Sequence, residues 1–301
     1  MNGVDGHLLA RLPAVTAAKR TRLGVIADPH LSTRAQGTWK CYHRTETFLS
    51  RAVDGIQSAS PDATVVAGDL TKDGEPANFD RYDELVAPLS GPLTVPGNHD
   101  VPKSFVDHEV LPVEDFADRY TSGGYPFRER VGGLDVYCLN SAATTDGSLR
   151  DTWGGRVSQD QLDWLAERLD GPRVPVVVVH HNLFAQPEHT GGFWRNFPLQ
   201  NADALQDVLT GHGPVLVVSG HHHIPSVQRD GDVHEVIAPA LCSYPPSYLV
   251  IDVGPEGTTV RRMPVTTPAE RTEAYMLGAT GTDLGQAVVT LAADRVGSEP
   301  Q

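Results

Sequence analysis

Polar side chains of the kinds that bind metal ions follow five apolar stretches of the sequence. Three consecutive histidines, 221–223, come directly after the apolar run 214–220. The equivalent residues after the other four runs are Asp28, His30, Asp69, Asn98, His99, Asp100, His180, His181 and Asn182. Imidazole nitrogens with carboxylate and amide oxygens suit divalent ions such as Mn, Fe, Co, Ni or Zn, and the set has no cysteine of a structural thiolate zinc site. The sequence therefore predicts a metal site.

The apolar runs are typical of buried β-strands, because they are short, rich in β-branched residues and followed by polar or glycine residues. They cover residues 22–27, 63–68, 92–97, 134–140, 174–180, 214–220, 234–240 and 248–253. Helical patterns lie between many of them, at 43–59, 158–169 and 201–209, and Ser158 and Gln161 are spaced as in a capping box. This alternation predicts an α/β domain. Ligands of such sheets bind outside the carboxyl ends of the strands, so we expect the polar residues to meet there.

The number of candidate ligands favours two metal ions over one. Up to seven protein ligands are too many for a single catalytic ion that keeps an open position. Two ions about 3.5–4 Å apart that share one bridging carboxylate would use them all. Such a pair can bind a phosphoryl oxygen and deprotonate a bridging water.

These motifs, in this order, resemble the signature of the calcineurin-like metallophosphoesterases. The matching pieces are DPH at 28–30, GDL at 68–70, GNHD at 97–100, a strand-terminal His180 and GHHH at 220–223. The resemblance covers roughly residues 22–253 and implies an α/β (α+β) fold, a four-layer αββα double β-sandwich. We expect an N-terminal extension at 1–21, a metallophosphoesterase domain at 22–265 and a C-terminal helical extension at 266–301.

The resemblance also implies a role for each motif residue. The first ion would be held by Asp28, His30 and His223, and the second by Asn98, His180 and His221. Asp69 would bridge the two ions. His99 would bind no metal and would face the substrate as a proton donor or oxyanion stabiliser, with Asp100 orienting it. His181 would not be a ligand, and His222 would line the site.

The second motif favours one branch of this family. GDLTKDG lacks the arginine of the protein Ser/Thr phosphatases, and Lys72 stands where purple acid phosphatases have a tyrosine ligand. The segment is similar to the cyclic-nucleotide and glycerophosphodiester phosphodiesterases, although Asn182 replaces the proline that usually follows their HH pair. The implied mechanism is in-line attack by a hydroxide that bridges the two ions, with inversion at phosphorus.

Three functions remain open at this stage. The first is a phosphodiesterase that acts on a small diester, and the second is a phosphomonoesterase or a nuclease with the same metal centre. The net charge of −14 disfavours a nuclease or another nucleic-acid partner, because binding phosphates needs clustered Lys and Arg. The third is a metal-binding regulatory protein without turnover, which the presence of His99 and Asp100 disfavours.

Two segments are candidates for the rim of the site. In the loop 185–200, we expect His189, Trp194 and Arg195 to contact the substrate, since arginine binds phosphate and tryptophan offers a stacking face. A surface loop that packs on the domain is the alternative. His43, in the segment 39–44, is a second candidate. The other aromatic and thiol side chains are expected to pack in the core or in loops: Trp39, Trp153, Trp164, Cys41, Cys138 and Cys242.

Composition and terminal sequences predict a cytoplasmic protein with no membrane partner. No apolar run approaches the roughly 20 residues that span a bilayer, and the first residues lack the apolar region of a signal peptide. Three widely spaced cysteines suggest a reducing compartment. The acidic, lysine-poor composition fits either a high-salt cytoplasm or a GC-rich genome. The C-terminal helix could form a homodimer contact or pack on its own domain.

Overall fold

The chain forms two β-sheets flanked by helices in a computed structural model that describes residues 6–103, 106–142, 154–186, 194 and 197–296. The strands are β1 His7–Leu12, β2 Thr21–Ile26, β3 Ala63–Val66, β4 Leu93–Thr94, β5 Phe127–Val131, β6 Leu134–Cys138, β7 Val174–Val178, β8 Val215–Ser219, β9 Ser226–Asp230, β10 Val233–Ile237, β11 Ser247–Gly254 and β12 Gly257–Pro264. The helices are α1 Thr45–Ala59, α2 Pro76–Val86, α3 Val113–Tyr120, α4 Gln159–Ala166, α5 Ala202–Leu209, α6 Pro268–Ala279 and α7 Asp283–Val296. A 3₁₀ turn, Tyr42–Arg44, precedes α1.

The first sheet has the strand order β1-β12-β11-β2-β3-β4, and β2, β3 and β4 run parallel. The second has the order β5-β6-β7-β8-β10-β9, with a parallel centre of β6, β7, β8 and β10. β1 pairs antiparallel with β12. The segment that we expected to be an N-terminal extension therefore contributes an edge strand to the first sheet.

Alternating side chains of the strands build the layers. Leu23 and Val25 of β2 point towards the second sheet and share a core cluster with Val136 of β6. Ile26 points the other way and packs in a second cluster with Ile56 of α1. A third cluster joins the outer face of the second sheet to α4 and α5. This arrangement confirms the predicted four-layer αββα double sandwich.

At the start of α4, the predicted N-cap Ser158 is present, but the predicted capping box is not complete. Ser158 caps α4, since its hydroxyl accepts a hydrogen bond from the Gln161 backbone amide at 3.4 Å. The Gln161 side chain does not complete a capping box; it donates to the Asn140 carbonyl at 2.8 Å and accepts from the Asn140 amide at 2.8 Å. The helix is thereby tied to the end of β6.

The C-terminal helices α6 and α7 pack on their own chain. α6 begins with a capping box in which Thr267 accepts from the Glu270 amide and the Glu270 carboxylate accepts from the Thr267 amide. Glu270 also accepts from Arg51 of α1 at 2.6 Å. Among the described residues, no helix has the length and apolar composition needed to cross a membrane.

Candidate metal centre

All seven predicted metal ligands lie together at the carboxyl ends of five strands. Asp28 and His30 follow β2, Asp69 follows β3, and the other four follow β4, β7 and β8. Each is buried, with between 0% and 7% of its surface exposed. The ligands come from both sheets, so the site spans the edge of the sandwich where parallel strands of each sheet end.

Asp69 lies between two histidines from different sheets. Its Oδ2 atom is 3.2 Å from Nε2 of His30 and 3.4 Å from Nε2 of His180. Its Oδ1 atom accepts a hydrogen bond from the His99 amide at 2.8 Å, which fixes the carboxylate. One carboxylate oxygen thus faces donors of both predicted ion sites, as a bridging ligand must.

The donors of the first predicted ion site surround Asp28. Its Oδ1 atom lies 3.3 Å from Nε2 of His223 and 3.8 Å from Nε2 of His30. Both carboxylate oxygens also accept from the His221 amide, at 3.1 and 3.0 Å. Nδ1 of His223 is 2.8 Å from the Ser243 hydroxyl, so its Nε2 is the nitrogen turned towards the cluster.

The donors of the second predicted ion site are His180, Asn98 and His221. Nε2 of His180 lies 3.2 Å from Oδ1 of Asn98, while its Nδ1 donates to the Ala67 carbonyl at 2.7 Å. That backbone contact fixes the tautomer that leaves Nε2 for a metal. Nε2 of His221 is buried and has no hydrogen-bond partner within the described part of the chain. A buried imidazole nitrogen without a partner fits a metal ligand, because desolvating it is costly otherwise.

Five of the ligands have a strained backbone. Six non-glycine residues of the described chain have φ in the left-handed region; Ser60 ends α1, and the others are Asp28 (49°), His30 (43°), Asp69 (53°), His221 (62°) and His223 (62°). This conformation costs roughly 1–2 kcal/mol per residue. Backbone hydrogen bonds hold it, including His30 N to Asp69 O at 2.9 Å. Strain of this kind concentrates at functional sites.

Motif glycines make room for the ligands. A Cβ atom on Gly220 would lie 2.5 Å from Oδ2 of Asp28, and one on Gly68 would lie 2.5 Å from Nδ1 of His180. Gly68 also has a φ of +88°, which favours glycine. Glycine is therefore required before Asp69 and before His221 for steric reasons.

The electrostatics of the cluster favour bound positive charge. Burial alone would raise the pKa of Asp69, but the neighbouring imidazoles, His180 foremost, hold that pKa well below its usual range. Burial opposes a charged His180, yet the Asp69 carboxylate raises the pKa of His180 to about 9. Burial lowers the pKa of His30 and His221 far below the ordinary value, so both rings are neutral, the form that binds metal ions.

Asp100 does not take the position that the motif implied. It is fully buried, and its carboxylate accepts hydrogen bonds at 3.0 Å from the amides of Leu70, Thr71 and Gly97. It therefore ties the loop after β3 to the loop after β4. Nδ1 of His99 instead lies 2.5 Å from the Lys72 carbonyl. The sequence predicts that Asp100 orients His99, whereas in the structure backbone amides satisfy the buried carboxylate.

Three residues near the site were not singled out from the sequence, although Trp39 and Lys40 lie in the segment 39–44 that was a candidate for the rim. Lys40 is buried, and its Nζ atom lies 3.1 Å from Nε2 of His30. Burial alone would lower the pKa of Lys40, but Tyr42 and other neighbouring groups raise it, so the side chain stays charged. Cys242 lies beside His30 and His223, with Sγ 3.9 Å from Nδ1 of His223. Trp39, predicted to be a packing residue, lines the site with its ring 5.5 Å from His223.

The structure describes only some of the remaining residues that were predicted to contact the substrate, form the rim or pack in loops. His189, Arg195 and Trp153 lie outside the described residues. Trp194 stacks near His222, with 5.5 Å between ring centroids. The predicted rim residue His43 lies 2.8 Å from the Glu273 carboxylate of α6.

Two further predictions concern neighbours of the site and packing residues. His181 is 2.8 Å from the Ser141 hydroxyl and lies beside His180 and His221. Trp164 packs on Tyr137 as predicted. The three cysteines are buried and form no disulfide.

A cavity of about 330 Å³ opens above the ligands. It is lined by Trp39, Lys40, Tyr42, Asp69, Asn98, His99, Phe197, His221, His222, His223, Leu284 and Val288. This volume is at the lower end of the range for small-molecule sites. The cavity therefore gives a small ligand direct access to the candidate metal donors.

Comparison with known proteins agrees with this geometry. Residues 21–225 match the model of the calcineurin-like phosphoesterase family. The chain is 30% identical over 224 residues to a probable cyclic nucleotide phosphodiesterase of Synechococcus, which covers 72% of this chain and 76% of the relative. It is 28% identical to the 3′,5′-cyclic adenosine monophosphate phosphodiesterase CpdA of Pseudomonas aeruginosa, over 66% of this chain and 68% of the relative. A dimetal phosphatase from Danio rerio shares the fold, with a TM-score of 0.61 over 82% of this chain and 96% of that chain, at 15% identity.

The double sandwich with acidic and imidazole side chains at its strand ends defines a metal-dependent phosphoester hydrolase. The chain belongs to the calcineurin-like phosphoesterase family, and this confirms the resemblance seen in its motifs. Members of the family use divalent metal ions, and the buried donor groups of this chain fit that requirement.

Proposed function

We propose that the protein is a phosphodiesterase for a small diester, with 3′,5′-cyclic nucleotides as the substrate class. The observation that carries the metal chemistry is the position of Asp69 Oδ2, within 3.4 Å of imidazole nitrogens from both sheets. The choice of cyclic nucleotides is supported by the names of the relatives from Synechococcus and Pseudomonas aeruginosa.

The proposed ligands form two sets that share Asp69. The first set is Asp28, His30 and His223, and the second is Asn98, His180 and His221. Divalent ions bound there would polarise the phosphoryl oxygens and acidify a water molecule. With nitrogen and oxygen donors, Mn, Fe, Co, Ni and Zn are all compatible, and we propose Mn as the first ion to test.

The chain's own groups supply the rest of the chemistry. Lys40 is a buried cation in the cavity and would bind a phosphoryl oxygen of the substrate. His99 also lines the cavity, and its Nδ1 is bound to the Lys72 carbonyl, so its Nε2 is the nitrogen that would donate a proton to the leaving oxygen. No serine is assigned as a nucleophile, because direct displacement needs no covalent intermediate. We therefore expect inversion at phosphorus.

Hydrolysis of paired substrates tests the proposal. The Mn-loaded protein would be assayed with bis(p-nitrophenyl) phosphate, p-nitrophenyl phosphate and 3′,5′-cyclic AMP. We expect preferential turnover of the diesters, its loss in Asp69→Asn, and full activity in Asp207→Asn, a matched exposed acid of α5. Preferred turnover of the monoester would replace the proposal with a phosphomonoesterase. Bound metal without hydrolysis of any phosphoester would favour the regulatory, metal-holding alternative.

A further inference from the structure

The cavity beside the candidate metal centre is lined by two chemically different sets of residues. One set consists of polar groups of the metal centre, including Asp69 and His99. The apolar groups Trp39, Leu284 and Val288 also line the cavity. Leu284 and Val288 belong to α7, which lies beyond the residues 21–225 that match the family model. Trp39, Leu284 and Val288 are here called the apolar wall.

The apolar wall is held in place by close packing. α7 lies directly against Trp39 at Gly285, where a Cβ atom would be only 2.5 Å from the Cβ of Trp39. α6, which packs on α7, is tied to the 3₁₀ turn through Glu273, whose carboxylate accepts from Arg44 at 2.9 Å. The wall and the segment that carries Lys40 are therefore attached to one another.

The Trp39 ring connects the wall to the metal centre. Its centroid lies 5.5 Å from that of His223, a predicted ligand. On the same ring, Nζ of Lys40 lies 5.1 Å from the centroid. A ligand whose phosphoryl group lies at the metal donors would thus place its next few atoms beside an indole face and two aliphatic side chains.

We propose that Trp39, Leu284 and Val288 form a subsite for a planar, apolar ring of the substrate, and that its occupant is a nucleobase. The inference rests on the proposed function, because the phosphoryl group of the same molecule must bind at the metal donors. A nucleobase stacks on an indole face and removes apolar surface from water. The polyhydroxyl group of a glycerophosphodiester would gain little from such a wall.

A binding comparison isolates the ring from the phosphate. The Mn-loaded protein would be titrated by calorimetry with 5′-AMP and with ribose 5-phosphate, which differ by the base. We expect tighter binding of 5′-AMP, and in Leu284→Ala an affinity for 5′-AMP reduced about tenfold, since roughly two buried methylene equivalents are lost. The affinity for ribose 5-phosphate should not change in that variant. Leu291→Ala, the same substitution on the same helix but outside the cavity lining, is the control and should leave both affinities unchanged.

Two conservative variants guard against loss of folding as an explanation. Trp39→Phe should weaken 5′-AMP binding and remove the quenching of tryptophan fluorescence by 5′-AMP. Leu284→Met, which keeps a large apolar side chain, should bind 5′-AMP with wild-type affinity, unlike Leu284→Ala. Equal wild-type affinities for 5′-AMP and ribose 5-phosphate, or equal losses for both in Leu284→Ala, would overturn the inference. Failure of the proposed function has a separate signature, which is the absence of cyclic nucleotide hydrolysis while both ligands still bind.

Discussion

Nδ1 of His99 lies 2.5 Å from the carbonyl oxygen of Lys72. A carbonyl oxygen can only accept, so Nδ1 carries a hydrogen and donates it. The contact fixes the orientation of the ring, and His99 lines the cavity beside the candidate metal donors. Burial lowers the pKa of His99, while the Asp69 carboxylate and Oδ1 of Asp73, 3.8 Å from Nδ1, partly oppose this effect. The chain thus positions His99 through the loop after β3 and not through its sequence neighbour Asp100.

His99→Asn tests the role of this ring as a proton donor. We expect kcat to fall roughly 100- to 10,000-fold for a diester with an alkoxide leaving group. The loss should be smaller for bis(p-nitrophenyl) phosphate, because p-nitrophenolate leaves without a proton. Steady-state kinetics with both substrates measure this difference, and metal content should be unchanged. His212→Asn, at a surface histidine paired with Asp170, is the control. An equal loss with both leaving groups would rule out proton donation.

Asp69→Asn tests the bridging position. An amide brings no charge to the point between His30 and His180, so both ion sites should weaken together. We expect the Mn content, measured by mass spectrometry after dialysis, to fall from about two ions per chain to one or none. Asp207→Asn should keep the wild-type content. Retention of both ions in Asp69→Asn would show that another group bridges them.

The site was predictable from the sequence to the extent that it lies at strand ends. Buried strands are short apolar runs, and in parallel strands the residues that follow them must meet at one edge. This rule brought together Asp28, Asp69, Asn98, His180 and His221. It holds although the five residues come from two different sheets, since both sheets end their parallel strands on the same side of the sandwich.

The edge strands and several residues around the metal donors could not be predicted, because they depend on contacts that no local sequence pattern encodes. Three of the four strands that were not predicted, β1, β5 and β9, lie at sheet edges, where charged and exposed residues interrupt the apolar alternation. Lys40 and Trp39 lie in an irregular loop that gives no periodic signal. Asp100 was misassigned because it is adjacent to His99 in sequence, whereas its hydrogen-bond partners lie up to 30 residues away.

Lys40→Met tests the buried cation of the cavity. Removing a charge-assisted hydrogen bond to a phosphoryl oxygen costs about 1.5–3 kcal/mol, so kcat/KM should fall about 10- to 100-fold. The affinity of the Mn-loaded protein for inorganic phosphate, measured by calorimetry, should fall by a similar factor. Lys19→Met, at an exposed position, is the matched control. Unchanged phosphate affinity in Lys40→Met would place the cation outside the substrate site.

Asp100→Asn tests the structural role of the buried carboxylate. In the wild-type protein, the backbone N–H groups of Leu70 and Gly97 donate to the Asp100 carboxylate. The variant places an amide nitrogen, which is itself a donor, opposite such N–H groups. We expect the free energy of unfolding to fall by roughly 3 kcal/mol in urea denaturation with EDTA present. Asp207→Asn should change it little. A large fall in kcat with unchanged stability would instead support a direct role beside His99.

Glu235 gives the stability a specific pH dependence. Its carboxylate is buried on β10 and accepts from the amides of Leu183 and Phe184 and from the Ser219 hydroxyl, which links the segment that follows β7 to the last residue of β8. Burial raises the pKa of Glu235 to about 7. A carboxyl group whose folded-state pKa is raised contributes stability below its unfolded pKa and loses that contribution as pH rises through the folded value.

Glu235→Gln removes this titration, so the difference in unfolding free energy between wild type and variant should depend on pH. We expect the wild type to lose about 2–3 kcal/mol relative to the variant between pH 5 and pH 8. Urea denaturation at one-unit pH intervals, with EDTA in every sample, measures the difference and cancels the titration of other groups. A difference that does not vary with pH would mean that Glu235 stays ionised throughout, and that its three hydrogen bonds outweigh the cost of burying its charge.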